Sequence, residues 1–220
     1  MVSVEPLRLR SGPLELEAAL HLPARVPAPG VVVCHPHPLY GGDMSNGVVS
    51  ELCRVLSEDG IAVLRFNFRG VGASEGAYDH GRGEQDDARA ALAVLAGRDE
   101  VDAARLGLAG YSFGAMVALE VARGAPGLRG LALVSPPVGA AGNLTLPAGM
   151  PVVVVCGDTD QFAPVRTLEA LAEAGAGVRL EIVRGADHFW WSGGQRLLEA
   201  VRAFFTDRFA TSGSPGSRHS

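Results

Sequence analysis

The sequence lacks three features that would each indicate a particular class of protein. It has no cluster of basic residues, since 19 arginine and lysine residues stand against 24 aspartate and glutamate residues, a formal net charge of −5. A nucleic-acid partner is therefore not expected. It has no apolar run long enough to span a membrane, and its first residues, MVSVEPLRLRSG, contain no apolar segment of signal-peptide length. We therefore expect no membrane partner and a cytoplasmic location.

Cysteine is also scarce. The three cysteines, Cys34, Cys53 and Cys156, are an odd number, and each lies in or beside an apolar run. A disulfide framework normally uses an even number of cysteines in a small secreted chain. We therefore expect three reduced, buried thiols rather than disulfide bonds.

The composition is typical of a folded globular protein. The hydrophobic fraction is 47% and the charged fraction 20% of 220 residues, so one domain with a sizeable core is expected. We place that domain at residues 1–209. Residues 210–220 end in TSGSPGSRHS, a small and polar stretch, and are predicted to form a disordered tail.

Short apolar strands alternate with helical segments along most of the chain. Residues 2–10 and 14–22 flank Ser-Gly-Pro and predict an antiparallel hairpin. The further predicted strands are 31–35, 61–66, 105–109, 128–134, 152–156 and 178–183, and the predicted helices are 46–59, 84–96, 115–122, 164–174 and 195–209. This alternation predicts a mostly parallel, twisted sheet of about eight strands with helices on both faces.

The most informative motif is GYSFG at residues 110–114, which fits the Gly-x-Ser-x-Gly pattern of a nucleophile elbow. An apolar run, Leu106–Ala109, precedes it, and a helix-forming run, Ala115–Ala122, follows it. A serine on so sharp a turn has a strained backbone that a supporting fold must hold. The motif predicts Ser112 as a nucleophile at the end of a strand.

A serine hydroxyl becomes a good nucleophile only when a base takes its proton and an acid orients that base. The active groups of an open parallel sheet collect at the carboxyl ends of its strands. The loop after residues 152–156 offers Asp158 and Asp160. We favour Asp160 as the acid on the pattern of nucleophile-elbow folds, because Asp160 projects from the loop whereas Asp158 is nearer the strand and can cap the turn. The alternative is that both aspartates are turn residues.

The candidate base is His188, which lies just after the predicted strand 178–183. A lone histidine is more often a surface or packing residue. Here, however, the order Ser112, Asp160, His188 is the order of nucleophile-elbow folds. The remaining histidines are weaker candidates because of their positions in the hairpin, before the serine, in a Gly- and Asp-rich loop or in the tail: His21, His35, His37, His80 and His219.

Stabilisation of a developing oxyanion needs two N–H donors. The N–H of Phe113 is one candidate, because it follows the nucleophile at a helix N-terminus. The second donor is expected in the loop HPHPLYGG at residues 35–42, whose two prolines have no N–H. We predict His37 as this donor, with Leu39 as second choice. The alternative is that the prolines only stiffen this loop.

Five segments together resemble the α/β-hydrolase superfamily and, within it, small bacterial serine hydrolases related to dienelactone hydrolases and carboxylesterases. They are HPHPLYGGDM (35–44), RFNFRGVGASEG (65–76), GYSFG (110–114), GDTD (157–160) and GADHF (185–189). The resemblance covers residues 31 to about 209. It implies an α/β-hydrolase fold, a Ser112–Asp160–His188 triad, and neither cofactor nor metal. The dienelactone branch has cysteine at the elbow, so Ser112 argues against a dienelactone substrate.

The candidate residues of a substrate pocket are Leu39, Tyr40, Phe162 and Trp190. The aromatic run Phe189–Trp191 directly follows the candidate base. Its members are equally consistent with lining an acyl pocket and with packing the last helix.

Polar residues in the 65–76 segment and the following helix have structural interpretations. We interpret Asn67, Arg69 and Ser74 as hydrogen-bonding partners that shape the loop. A carboxylate-binding role for Arg69 is the less favoured alternative. Glu84, Asp86 and Asp87 open a predicted helix and are assigned to capping and to the helix dipole.

The interval from Ser135 to Met150, SPPVGAAGNLTLPAGM, is too short to fold the helical cap found in many members of the superfamily. The expected site is open, which argues against a lipase with interfacial activation. We expect a carboxylesterase acting on small acyl esters. Thioesterase or peptidase activity on the same residues is the alternative, and a non-catalytic binding protein is a third. No oligomeric state is indicated.

Overall fold

An eight-stranded sheet forms the centre of the computed structural model, which describes residues 1–140, 145–175 and 177–210. The strands are β1 (Ser3–Ser11), β2 (Leu14–Leu22), β3 (Ala28–Cys34), β4 (Ala62–Phe66), β5 (Val101–Tyr111), β6 (Gly130–Val134), β7 (Val152–Gly157) and β8 (Val178–Val183). The helices are α1 (Gly47–Glu58), α2 (Arg82–Ala96), α3 (Phe113–Arg123), α4 (Val165–Ala174) and α5 (Gly194–Phe209).

The strand order is β1-β2-β4-β3-β5-β6-β7-β8. β1 and β2 form an antiparallel hairpin, and β2 is also antiparallel to β4. All the other neighbouring pairs are parallel. The predicted fold class is therefore confirmed, although several boundaries differ: β5 begins at Val101 rather than Arg105, and α2 begins at Arg82 rather than Glu84.

Two apolar layers cover the sheet, one on each face. In β3, Val31 and Val33 pack with α1 and α5, whereas Val32 and Cys34 pack with α2 and α3 on the other face. This alternation follows from the two-residue period of a strand. Both faces of β3 are buried, which explains its continuous apolar sequence. As expected, all three cysteines are free and buried.

The parallel strands end together at one edge of the sheet. The loops after β3, β5, β6, β7 and β8 therefore meet there. Between β6 and β7 the described residues form one short 3₁₀ helix, Val138–Ala140, and no cap domain. The predicted tail lies outside the described residues from 211 onward. No helix within the described residues is long and apolar enough to cross a membrane.

Candidate active site

Ser112 lies on the turn between β5 and α3 with a φ of +54° and a ψ of −119°. Its N–H donates to the carbonyl of Val134, and its own carbonyl accepts from Ala115. A side chain at Gly110 would clash with the backbone of Gly114, and one at Gly114 would clash with the end of β3. The two glycines of the motif therefore allow the close approach that keeps Ser112 in its strained conformation.

His188 lies in the loop between β8 and α5, and its Nε2 is 2.9 Å from Ser112 Oγ. The ring is buried. The hydroxyl of Tyr111 donates to the main-chain carbonyl of His188 at 2.7 Å, and so ties this loop to the end of β5. The structure thus brings the predicted base to the predicted nucleophile, 76 residues apart in the sequence.

Asp160 is the carboxylate next to His188, whose Nδ1 is 2.9 Å from Oδ2 and 3.0 Å from Oδ1. Its Oδ1 also accepts from the N–H groups of Phe162 and Ala163. Burial alone raises the pKa of Asp160, but hydrogen bonds from His188 and Ser135, the charge of His188 and the Phe162 N–H together hold that pKa below its ordinary value. The carboxylate is therefore ionised and accepts the Nδ1 hydrogen of His188.

Asp158, the alternative acid, is in a different environment. Its Oδ1 accepts from the N–H of Gly185 at 2.6 Å, and its side chain is exposed. It therefore braces the loop that carries His188, as predicted for a turn aspartate.

The N–H groups of Phe113 and His37 donate to no acceptor within the described residues. The N–H of Leu39, by contrast, donates to His37 Nδ1 at 3.2 Å. The Leu39 N–H is therefore already hydrogen-bonded, which favours the His37 N–H as the second candidate oxyanion donor.

The His37 ring is held in one orientation. It packs against Phe113, Tyr40 and Tyr78, with ring centroids 4.7–5.1 Å apart. Its Nδ1 accepts from Leu39, so its Nε2 donates to the Tyr78 hydroxyl, 3.2 Å away. Burial lowers the pKa of His37, which keeps the ring neutral and this pattern intact.

His35 connects the loop after β3 to the loop after β4. Its Nδ1 donates to the carbonyl of Pro36 at 2.7 Å, and its Nε2 accepts from the N–H of Phe68 at 3.0 Å. The side chain is fully buried, and burial lowers its pKa to about 4. Protonation at Nε2 would remove the acceptor for Phe68, so His35 must stay neutral for the two loops to remain joined.

Acidification should therefore destabilise the fold through His35. Above pH 6.5 the residue is neutral in both the folded and the unfolded states and contributes nothing to pH dependence. Below pH 6.5 the unfolded state binds a proton that the folded state refuses down to about pH 4, which costs up to about 3 kcal/mol in the free energy of unfolding. Urea unfolding at pH 7.0 and 4.5 measures this loss.

The His35→Gln variant is the control for this prediction, because an amide can donate and accept but does not titrate in this range. Its unfolding free energy should depend less steeply on pH than that of the wild type. His21, also buried with a pKa of about 4, remains in both proteins and cancels in the comparison. Identical pH slopes for the two proteins would contradict the assignment.

The Arg69 guanidinium forms an ion pair with another side chain of the protein. Its Nε and Nη2 bind both oxygens of Asp87, at 3.0 and 2.7 Å, and the Asp87 side chain is fully buried. The structural interpretation of Arg69 is confirmed. The assignment of Asp87 to helix capping is wrong, because the carboxylate lies beyond the first turn and pairs with Arg69 instead.

Three other polar residues of this region, Glu84, Asn67 and Ser74, have the predicted structural roles. Glu84 accepts from the N–H groups of Asp79 and Gly81 and so caps α2. Asn67 Oδ1 accepts from Met44, and the Ser74 hydroxyl donates to the carbonyl of Asn67. These contacts hold the loops beside the candidate site. Asp86 forms a surface ion pair with Arg89 rather than a cap.

A cavity of about 660 Å³ lies over Ser112. Its lining is largely aromatic or apolar and contains two of the four predicted pocket residues, Tyr40 and Phe162. The lining residues are Pro36, His37, Tyr40, Gly41, Gly42, Asn46, Tyr111, Ser112, Phe113, Met116, Pro137, Phe162, His188 and Phe189.

The prediction that Leu39 and Trp190 line the pocket is wrong. Leu39 lies in a short 3₁₀ helix, Pro38–Tyr40, where successive side chains point about 120° apart. Tyr40 is part of the cavity lining and Leu39 is not, although both side chains are exposed to solvent. Trp190 has a φ of +59° and is buried in the layer that contains α5.

The aromatic run after His188 was consistent either with lining the pocket or with packing the last helix, and its members differ in which of these they do. Phe189 lines the cavity, Trp190 packs in the apolar layer that contains α5, and Trp191 is exposed and does neither. The sequence reasoning also missed Met116 in the lining. It is four residues after Ser112 on α3 and so lies on the same helix face, a periodicity that could have identified it.

No group of three or more His, Cys, Asp or Glu side chains in the described ranges is placed to hold a metal ion. The groups beside Ser112 are those that acyl transfer to a serine requires. The Ser112 hydroxyl, the His188 imidazole and the Asp160 carboxylate are joined by hydrogen bonds in that order. The N–H groups of Phe113 and His37 are available at the same end of the sheet.

Comparison with known proteins finds a hydrolase family model, a related sequence and related solved structures. Residues 27–151 match the family model described as serine aminopeptidase, S33. An uncharacterized protein from Rickettsia prowazekii is 35% identical over 187 residues, which cover 80% of this chain and 78% of the relative.

Two solved structures extend this match to nearly the whole chain. An α/β serine hydrolase homologue from Coxiella burnetii is 33% identical, with 94% of this chain and 97% of that chain covered and a TM-score of 0.77. A lidless α/β serine hydrolase from Xanthomonas campestris is 35% identical, with 94% and 93% covered and a TM-score of 0.77.

Proposed function

Because the chain belongs to the α/β-hydrolase superfamily and, within it, to the family described as serine aminopeptidase, S33, we propose that it is a serine carboxylesterase. Its substrates are small, uncharged acyl esters. The observation that carries the proposal is the continuous hydrogen-bonded series from Ser112 Oγ through His188 to Asp160. That series supplies a nucleophile, a base and an orienting acid.

In the proposed acylation step, Ser112 Oγ attacks the carbonyl carbon of the ester while His188 Nε2 takes its proton. The N–H groups of Phe113 and His37 donate to the carbonyl oxygen as it becomes an oxyanion. The carbon–oxygen bond to the leaving group then breaks, and Nε2 returns the proton to the departing alcohol. Asp160 keeps the Nδ1 hydrogen in place and stabilises the imidazolium.

In the second step, water attacks the acyl-Ser112 carbonyl and gives a proton to His188 Nε2. The bond between the acyl carbon and Ser112 Oγ breaks, and the proton returns to the serine. The products are a carboxylic acid and the regenerated enzyme.

The cavity lining supports an uncharged substrate rather than a peptide with a free amino terminus. An aminopeptidase must stabilise the α-ammonium group of its substrate, normally with a carboxylate. Neither Asp nor Glu is among the cavity-lining residues that the structure describes. The lining therefore offers no ion-pair partner for an ammonium group, so the family description does not define the substrate of this chain.

Substrates that differ only in charge test this proposal. We expect the p-nitrophenyl ester of N-acetylalanine to have a kcat/KM at least about 10-fold above that of the alanine ester, which carries a free ammonium. The p-nitrophenyl ester of butyrate should also be cleaved, with leucine p-nitroanilide as the aminopeptidase standard. Faster cleavage of the anilide would contradict the proposal. A preference for butyryl-N-acetylcysteamine would instead indicate a thioesterase.

A further inference from the structure

Two aromatic side chains, Phe162 and Phe189, pack directly against the ring of His188. Their ring centroids are 4.6 Å and 5.5 Å from the His188 centroid, with interplanar angles of 57° and 90°. Both side chains line the cavity over Ser112. They are nevertheless 44% and 56% exposed, so a large part of each ring is open to solvent. The mechanism proposed above gives neither ring a role.

The main chain that carries each ring is held in place by the rest of the protein. The N–H of Phe162 donates to Asp160 Oδ1 at 2.9 Å, and its carbonyl accepts from the N–H of Gly139 at 3.1 Å. Phe189 directly precedes Trp190, which is buried in the layer that contains α5. Both rings are therefore presented by loops that are already ordered, which lowers the entropic cost of binding a ligand against them.

The place of these rings beside the base determines which part of an ester they can contact. In the proposed acylation step, His188 Nε2 gives its proton to the oxygen of the leaving alcohol. That oxygen must come within roughly 3 Å of Nε2, so the carbon attached to it lies near the side chains that pack on the imidazole. Tyr111, whose centroid is 5.9 Å from that of His188, is buried and offers little surface. Phe162 and Phe189 offer the exposed surface there.

The acyl group of the same ester is directed elsewhere by the proposed mechanism. Its carbonyl carbon is the atom that Ser112 Oγ attacks, and its carbonyl oxygen faces the N–H groups of Phe113 and His37. The two portions of the ester leave the carbonyl carbon in different directions. Contacts with the alcohol portion can therefore be tested separately from contacts with the acyl portion.

We propose that Phe162 and Phe189 form a subsite for the alcohol portion of the ester, and that this portion carries an uncharged aromatic ring. This inference rests on the proposed function. A ring bound there would cover the exposed surface of both phenylalanines. It would also gain edge-to-face or offset contacts, which favour an aromatic ligand beyond the apolar area that it buries.

Aromatic rings beside an imidazole have two other functions to be distinguished from this one. Rings that only exclude water from the base would affect every ester alike. Rings whose faces attract a cation would favour an ester with a quaternary ammonium group in its alcohol. Each function predicts its own order of substrates.

The test uses benzyl butyrate and cyclohexylmethyl butyrate, whose alcohols are nearly the same size. Both esters form the same butyryl-enzyme, so kcat/KM, which includes only the steps through acylation, isolates the contribution of the alcohol. We expect the wild type to prefer the benzyl ester by at least about 5-fold in kcat/KM. Apolar area alone predicts no such preference, because the cyclohexyl group is the more hydrophobic of the two.

Phe162→Leu and Phe189→Leu remove one ring each and keep an apolar side chain. Each variant should lower the ratio of the two kcat/KM values by roughly 2–4-fold, and the double variant should bring it below about 2. Any small difference in reactivity between the two alcohols cancels when variants are compared with the wild type. Trp191→Leu is the matched control, because Trp191 is an exposed aromatic residue outside the cavity lining. It should keep the wild-type ratio.

A second pair of esters shows whether the subsite serves the alcohol or the acyl portion. Methyl 3-phenylpropanoate and methyl 3-cyclohexylpropanoate carry the same two rings on the acyl side. Their ratio of kcat/KM should be the same in the wild type and in the variants at Phe162 and Phe189.

The inference is overturned by a wild type without a preference for the benzyl ester, or by equal losses for the two butyrates in the phenylalanine variants. A fall in the ratio of the acyl pair, or faster cleavage of butyrylcholine than of benzyl butyrate, would also overturn it. If any of these occurs while the wild type hydrolyses methyl butyrate and is labelled at Ser112 by a fluorophosphonate, only the inference fails. A wild type that cleaves no ester and is not labelled contradicts the proposed function as well.

Discussion

The Ser112→Ala variant is expected to lose at least about 10⁴-fold in kcat for p-nitrophenyl butyrate. The substitution removes the hydroxyl that lies 2.9 Å from His188 Nε2 and leaves the candidate oxyanion donors and the cavity unchanged. The residual rate should therefore be that of water attack aided by Phe113 and His37. Steady-state assays of variant and wild type purified in parallel measure the difference.

Ser112→Gly serves as the companion variant. It should be as inactive as Ser112→Ala, but more stable by about 1 kcal/mol, because glycine tolerates the positive φ of this position. That difference corresponds to a rise of roughly 2–4 °C in Tm for a chain of this size. Full turnover in Ser112→Ala would contradict the assignment of the nucleophile, and a less stable glycine variant would contradict the strain at the elbow.

Asp160→Asn is expected to lower kcat about 10⁴-fold while leaving the fold intact. The N–H groups of Phe162 and Ala163 require an acceptor at Oδ1, so the asparagine oxygen should occupy that position. Its NH₂ group would then face His188 Nδ1 as a donor. The ring must respond by carrying its hydrogen on Nε2, where it can no longer accept the Ser112 proton.

Asp158→Asn is the matched control, two residues away in the same loop. Its Oδ1 only accepts from Gly185, and an amide oxygen can do the same. We expect kcat within about 3-fold of the wild type. The reverse pattern, with an inactive Asp158→Asn and an active Asp160→Asn, would assign the acid to Asp158.

The sequence predicted the fold because the relevant signals are local and periodic. Strands buried on both faces show as short apolar runs, and the helices between them show capping and amphipathic patterns. The site followed from the same logic. Ser112 comes directly after β5, and Asp160 and His188 lie in the loops that follow β7 and β8. The carboxyl ends of parallel strands share one edge.

The direction of individual loop side chains could not be predicted in this way. Leu39 and Tyr40 are adjacent in sequence, yet only Tyr40 reaches the cavity, because a turn of 3₁₀ helix separates their directions. Trp190 is buried and has a positive φ, a conformation that no sequence pattern indicates for a tryptophan. Such conformations are imposed by tertiary contacts, here with Ser135 and α5.

Polar side-chain pairs whose members are far apart in the sequence also could not be predicted. Asp87 looked like a helix-opening acid, but its partner is Arg69, which lies 18 residues earlier in the loop after β4. The buried Ser135 drew no attention for the same reason, because its hydroxyl accepts from the indole of Trp190, 55 residues later in the sequence. Pairings of this kind depend on how the loops pack at the edge of the sheet, which local propensity does not encode.

The most direct test of the central claim is to locate the covalent acyl or phosphonyl adduct by mass spectrometry. Wild-type protein treated with a fluorophosphonate probe should gain one adduct, and proteolysis should place it on Ser112. His188→Ala should be labelled far more slowly, because the base is absent. An adduct on any other residue, or steady ester turnover by a protein that gains no adduct, would contradict Ser112 as the nucleophile.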